Sequence, residues 1–80
     1  MWKVFKLTNI STSECFVGIT DGDPHAQLRE AADGGIEVID HWDGDDHRIE
    51  LAVLKEFPGE LEAIEFLGEA VDKDHCLRAV

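Results

Sequence analysis

The densest run of chemistry-bearing side chains is His41-Trp42-Asp43-Gly44-Asp45-Asp46-His47. Imidazole and carboxylate groups ligate several divalent ions, so metal binding is the first chemistry this stretch suggests. It lacks the twelve-residue EF-hand pattern closed by a glutamate, and Asp43-Gly44 is a turn dipeptide. Turn formation therefore accounts for these acids more simply than a specific metal site. Asp21-Gly22-Asp23 reads the same way, as a turn followed by a helix cap. Ser11, Thr12 and Ser13 fall in one loop with no histidine tied to them by spacing, so no catalytic triad is visible. Gly34-Gly35 follows a helical pattern and not a strand, which excludes a phosphate-cradling loop there. Cys15 alternates with Val17 and Ile19 as a small buried hydrophobe, and Cys76 lies beside His75. A single pair of cysteines at no framework spacing points to free thiols, not to a disulfide or metal ligands. The four histidines titrate in a useful range, but nothing in the sequence singles one out as a switch.

The elements that must position these groups follow from periodicity and punctuation. Trp2 to Thr8 alternates as a strand, with Lys3, Phe5 and Leu7 on one face and Trp2, Val4 and Lys6 on the other. Glu14 to Thr20 alternates likewise, and Ile10 to Glu14 joins the two strands. Asp23 is a helix N-cap and Pro24 suits the first helical position, so a helix runs to Ala32 and stops at Gly34-Gly35. Ile36 to Trp42 reads as a third strand, turned by Asp43-Gly44 into a tight hairpin. The return strand places Ile49, Leu51, Val53 and Phe57 opposite Glu50, Ala52, Leu54 and Glu56. Pro58-Gly59 ends it. Glu60 to Val71 is an amphipathic helix whose stripe is Leu61, Ile64, Leu67 and Val71, flanked by Ala63, Phe66 and Ala70. Residues 72–80 form a tail with a possible short strand at Cys76 to Val80. The expected fold is a single α+β domain over residues 1–80, in the order ββαββα. It has a mainly antiparallel sheet of three to four strands, and both helices pack on one face.

Composition limits the functions available. Eighteen Asp and Glu against seven Lys and Arg give a net charge of −11, spread along the whole chain. Nucleic-acid binders gather Lys and Arg against phosphates, so nucleic acid is not an expected partner. The acids read first as a solvated surface suited to a salty cytoplasm, and second as a DNA-mimicking surface. No apolar run reaches the roughly 20 residues that span a bilayer, and Met1-Trp2-Lys3-Val4 leads into a strand pattern, not a signal segment. A cytoplasmic location with no membrane partner is the expectation. An 80-residue chain buries about 60% of its unfolded surface, which implies a stability on the order of 4–12 kcal/mol.

Val4-Phe5-Lys6-Leu7-Thr8-Asn9 followed by Cys15-Phe16-Val17-Gly18-Ile19-Thr20 resembles the opening hairpin of the GIY-YIG nuclease family. There a strand ending Tyr-x-Leu-Thr-Asn precedes Tyr-Val-Gly-x-Thr. Asp23-Pro24-His25-Ala26-Gln27-Leu28-Arg29-Glu30 looks like the family's first helix, and Arg48 to Glu65 resembles its later strand and final helix. Ile36 to Asp46 has no counterpart. The resemblance implies the family's fold, but the positions it assigns to chemistry are replaced. Its two tyrosines fall on Phe5 and Phe16, which have no hydroxyl to handle a water nucleophile. Its helix arginine falls on Gln27, which lacks a cationic fork for phosphate. Its helix-end histidine falls on Ala31, and its metal-binding glutamate falls nearest Leu67, with Glu65 and Glu69 as weak off-register candidates. Arg29 lies about 200° around the helix from Gln27 and does not substitute for it.

The expectation is a non-catalytic GIY-YIG-like domain serving as a small acidic protein-interaction module, whose acidic surface guides a basic protein partner, with no cofactor. Phe5 and Phe16 either fill the core or, with Trp42, form an apolar binding patch. The alternatives are a divergent Mg²⁺-dependent nuclease using Arg29 with Glu65 or Glu69, and an acidic inhibitor that mimics DNA.

Overall fold

The computed structural model describes residues 1–78. Strand β1 (Trp2–Asn9) pairs antiparallel with β2 (Glu14–Thr20), in register from Lys3 opposite Thr20 to Asn9 opposite Glu14. Helix α1 (Pro24–Ala32) starts as its sequence dictates: the Asp23 carboxylate accepts the His25 N–H at 3.0 Å, and Pro24 occupies the first turn. Gly34 stands past its end at φ 77°, the left-handed conformation that glycine adopts without steric cost. Strand β3 (Ile49–Phe57) pairs antiparallel with the other side of β1. Helix α2 (Glu60–Asp74) follows, and β4 (Leu77–Arg78) runs parallel to β2. The sheet order is β3-β1-β2-β4, so the domain is α+β with a mixed sheet. The expected strand at Cys76 to Val80 is realised at Leu77–Arg78; Ala79 and Val80 lie outside the described residues.

The predicted strand over Ile36 to Trp42, and the hairpin at Asp43-Gly44, are not what forms. The segment holds a 3₁₀ turn at Glu37–Ile39. Ile39 N–H donates to the Ile36 carbonyl and Trp42 N–H to the Ile39 carbonyl, the i to i+3 pattern of that helix. Ile36, Ile39 and Trp42 recur every third residue, which puts all three on one side of such a turn; β-branched composition masked this period. Gly44 then lies against α1. A Cβ there would meet the Ala32 Cβ at 2.5 Å, so the loop docks on the helix and does not fold back as a hairpin.

The helices also do not share a face. Side chains of Phe5, Leu7 and Phe16 pack with Ala31 of α1 and with Ile39 and Trp42. On the opposite side, Val4 and Val17 pack with Ala63, Leu67 and Ala70 of α2 and with Cys76. A bulge in β3 serves both layers: Phe5 pairs with Val53 but Val4 with Lys55, leaving Leu54 as the extra residue. An extra residue reverses the facing of everything beyond it. Ile49 and Leu51 therefore join the α1 layer while Phe57 joins the α2 layer, although strict alternation put them together. The contact stripe of α2 is Ala63, Leu67 and Ala70, whose small residues allow close approach. Ile64, about 60° around the helix from Leu67, is 37% exposed, and Leu61 is 77% exposed, against their predicted burial.

Two ties close the structure. Cys15 and Cys76 form a disulfide across 61 residues of sequence, with Cα atoms 4.8 Å apart. This overturns the expectation of free thiols: the chain reversal at His75, in the left-handed conformation at φ 55°, returns Cys76 to β2, which residue spacing could not reveal. The second tie centres on Asn9, whose side chain is fully buried. Its Oδ1 accepts the Thr12 N–H at 3.2 Å, and its amide donates to His47 Nδ1 at 3.0 Å. His47 Nδ1 also accepts the Asp43 N–H at 3.0 Å, so the ring hydrogen resides on Nε2. Arg48 N–H donates to Ser11 Oγ at 3.0 Å, tying the 43–48 loop to the β1–β2 loop.

Chain-entropy reasoning for a closed loop of this length assigns the disulfide about 4 kcal/mol of stability. Replacing both cysteines with serine should lower the urea midpoint accordingly, and an unchanged midpoint would contradict that role. His47→Ala leaves the buried Asn9 amide without its acceptor, and equilibrium unfolding should register a loss of about 1–3 kcal/mol.

Candidate functional site

At the β2 side of the sheet, next to Arg78 of β4, the two layers meet at a cleft of about 390 Å³. Its floor is made by Phe5, Phe16 and Leu67, its wall by Gln27 of α1, and its rim by Glu60, Ile64 and Arg78. The floor is apolar because β1 and β2 alternate: Phe5 and Phe16 face the same side, their rings 6.2 Å apart and tilted by 48°. Gly18 makes the arrangement possible, since a Cβ there would meet Phe5 Cζ at 2.8 Å and Phe16 Cε1 at 3.1 Å. A glycine inside a strand marks such a close approach; this was the one sequence signal for the site that element reading alone passed over.

Four of the positions that the family resemblance assigns to catalysis, Phe5, Phe16, Gln27 and Leu67, line this one cleft. Ala31 does not; it is fully buried under α1 in the core. Phe5 and Phe16 are 1% and 2% exposed, so they are core side chains that reach the cleft only as its floor. Trp42, 3% exposed, lies in the α1 layer away from the cleft, and its indole N–H donates to Glu14 Oε1 at 3.2 Å. The three aromatics therefore do not make one exposed patch. Ile64, Glu60 and Arg78 were not legible as site residues: the first read as core, the second as a charge suited to a helix start, the third as tail.

The cleft can hold apolar groups on its floor and pair charges at its rim, where Glu60 and Arg78 are both exposed. Its described lining residues include no hydroxyl, thiol or imidazole, and Glu60 supplies their one carboxylate. Glu65 and Glu69 lie elsewhere, in a groove with Lys55, Phe57 and Phe66. Lys55 Nζ stands 5.3 Å from the Phe57 ring centroid and 5.9 Å from that of Phe66, a cation–π placement that puts an ammonium group beside these carboxylates. Arg29 belongs to α1 on the other side of the sheet, so the structure does not bring it together with them. Among the described residues, no group of three or more His, Cys, Asp and Glu side chains is arranged to hold a metal ion. A larger but more open depression of about 580 Å³ lies between Lys3, Pro24 and Val53; its openness leaves little surface to enclose a ligand.

The acid-rich stretches do structural work. The Asp43 carboxylate is held below its usual range because its oxygen accepts the N–H groups of Asp45 and Asp46, an Asx turn. Asp23 is lowered by the His25 N–H that it caps. Glu14 is lowered chiefly by His41, whose Nε2 donates to both carboxylate oxygens at 3.0 Å, with Thr12 and Trp42 also donating. Compared with known protein families, curated proteins and solved structures, the chain matches none.

Since Glu14 binds its proton less readily in the folded than in the unfolded state, its contribution to stability is present above the ordinary glutamate range. That contribution is lost as pH falls through the lowered folded value. In an NMR pH titration, the Glu14 midpoint should lie below that of ordinary exposed glutamates and rise in His41→Ala. Gly18→Ala must push against the buried Phe5 ring, and chemical denaturation should show a loss of about 1–3 kcal/mol.

Proposed function

We propose that this protein is a non-catalytic, GIY-YIG-like interaction module that binds a protein segment in the cleft between its two helices. One observation carries the reading: Phe5, Phe16, Gln27 and Leu67 share one cleft. In the family that the sequence resembles, the corresponding positions hold hydroxyls, a guanidinium and a carboxylate, whereas these four offer apolar carbon and a neutral amide. Removing a single charge-stabilising donor from a transition state costs roughly 2.7–4 kcal/mol, and several such groups are replaced together here. What remains suits binding. Ile64, which is exposed on α2, lines the same cleft, and Leu61 is exposed one turn before it on the helix; exposed apolar surface of this kind marks interaction sites.

Charge defines the partner class. With a net charge of −11, the surface attracts basic chains and repels phosphate backbones at long range. Glu60 and Glu62 of the first turn of α2 stand beside the exposed leucine and isoleucine. A segment with apolar groups for the floor and lysine or arginine for this turn fits both features.

Two assays test the reading. Duplex, single-stranded and branched DNA should stay intact with the purified protein in Mg²⁺ or Mn²⁺; cleavage that disappears in Gln27→Ala would falsify it. A synthetic peptide of alternating lysine and leucine should shift the NMR resonances of Gly18, Ile19, Gln27 and Glu60, with binding roughly tenfold weaker in Ile64→Ser, the factor equivalent to about 1.4 kcal/mol. Shifts confined to residues remote from the cleft would reject this site.

A further inference from the structure

We infer that this chain self-associates through the outer edge of β3. Residues 49–53 pair antiparallel with the same residues of a second copy, about a two-fold axis at Leu51. The surface is separate from the cleft, and the inference does not rest on the reading of that cleft.

Strand β3 stands at one end of the sheet order β3-β1-β2-β4. Its inner side pairs with β1, and among the described residues no strand covers its outer side. Such an edge presents a row of N–H and C=O groups that another strand can complete. The middle of the strand is open as well: Ala52 is exposed, and Val53 and Leu54 are 49% and 38% exposed. Edges that stay single are blunted by bulges and by charged side chains. In β3 the bulge at Leu54 and the charges of Lys55 and Glu56 all fall in the second half. The first half, Ile-Glu-Leu-Ala-Val, pairs regularly with β1 and carries one charge, Glu50.

Charge lets a second copy approach at this edge. Strand β1 and residues 48–57 hold Lys3, Lys6, Arg48 and Lys55 against Glu50 and Glu56. Four of the seven cations thus stand with two of the eighteen acids, so this end of the sheet escapes the acidity of the rest. Exposed charges farther apart than a Debye length, about 8 Å at physiological salt, are largely screened. The acids outside these segments therefore oppose association weakly.

The identity of the two strands selects the register. A two-fold axis through an antiparallel pair sets one residue opposite its own copy, and opposite residues share a face. Centred on Glu50, the pairing sets like charges against each other. Centred on Ala52, it pairs Leu51 with Val53, and the next pair runs into the bulge at Leu54. Centres at Ile49 or Val53 leave a single residue of the run to pair. Centred on Leu51, all five residues pair: Ile49 with Val53, Glu50 with Ala52, and Leu51 with its copy. Ile49 and Leu51 belong to the α1 layer, so apolar groups meet on that face and no like charges meet on either.

Sedimentation velocity over a concentration series reaching about 1 mM tests the association. The chain should pass from monomer to dimer, and a monomer at every concentration overturns the inference. Ala52→Glu, at an exposed position, sets two Glu–Glu pairs across the axis and should weaken the dimer about fivefold. Adding Glu50→Lys makes both pairs attractive and should restore association to within about twofold of the original. No weakening in the single variant, or no recovery in the double one, overturns the register. Amide NMR shifts of the unaltered chain locate the contact without any substitution. As concentration rises they should move in residues 49–53 and stay fixed at Ile64 and Arg78. Movement centred on Ile64 and Arg78 instead places the contact at the cleft and overturns the inference.

Discussion

Strand β1 is covered on both faces at once, and the rest of the structure follows from that. Val4 on one face and Phe5 and Leu7 on the other are all but completely withdrawn from water. An isolated hairpin buries too little to persist; sandwiched between layers, the same residues anchor two separate cores. Each core needs its own cover, which is why α1 with the 3₁₀ turn lies on one side and α2 on the other. The β3 bulge reconciles a single strand with both, sending Ile49 and Leu51 to one layer and Phe57 to the other.

A cleft at the β2 side is a consequence of this two-layer construction. At that side residues from both cores meet, and Phe5 and Phe16 line the cleft as its floor. Gly18 is the local condition, because any side chain there would occupy the space of the Phe5 ring. The site is thus assembled from groups whose first task is packing. Such groups offer shape and apolar area and are poorly suited to proton transfer, which requires polar atoms within reach of a substrate.

The acidic surface and the loops divide the charged residues between two roles. Asp23, Asp43 and Glu14 are engaged by N–H donors that cap a helix, close a turn and fasten the 41–42 segment to β2. The remaining carboxylates, including those of the first turn of α2, set the long-range field. Lys55, stacked near two aromatic rings beside Glu65 and Glu69, shows one cation drawn into that field.

The sequence by itself determined the hairpin, α1 with its Asp23 cap, β3 and α2, because each depends on alternation, capping or helical period within a few residues. It also determined the acidity and which side chains the family resemblance singles out. Only the tertiary structure decided the rest. Ile36 to Trp42 abandons the strand that its β-branched residues suggest because a three-residue period and docking on α1 bury Ile39 and Trp42 better. Facing beyond Val53 depends on a bulge, which arises from pairing with β1 and leaves no local mark. The disulfide, the parallel β4 and the exposure of Ile64 all depend on where α2 settles on the sheet. Residues 61 positions apart become neighbours only through long-range packing, and that is why Gln27, Gly18, Glu60 and Arg78 could be read as one site only after the chain was folded.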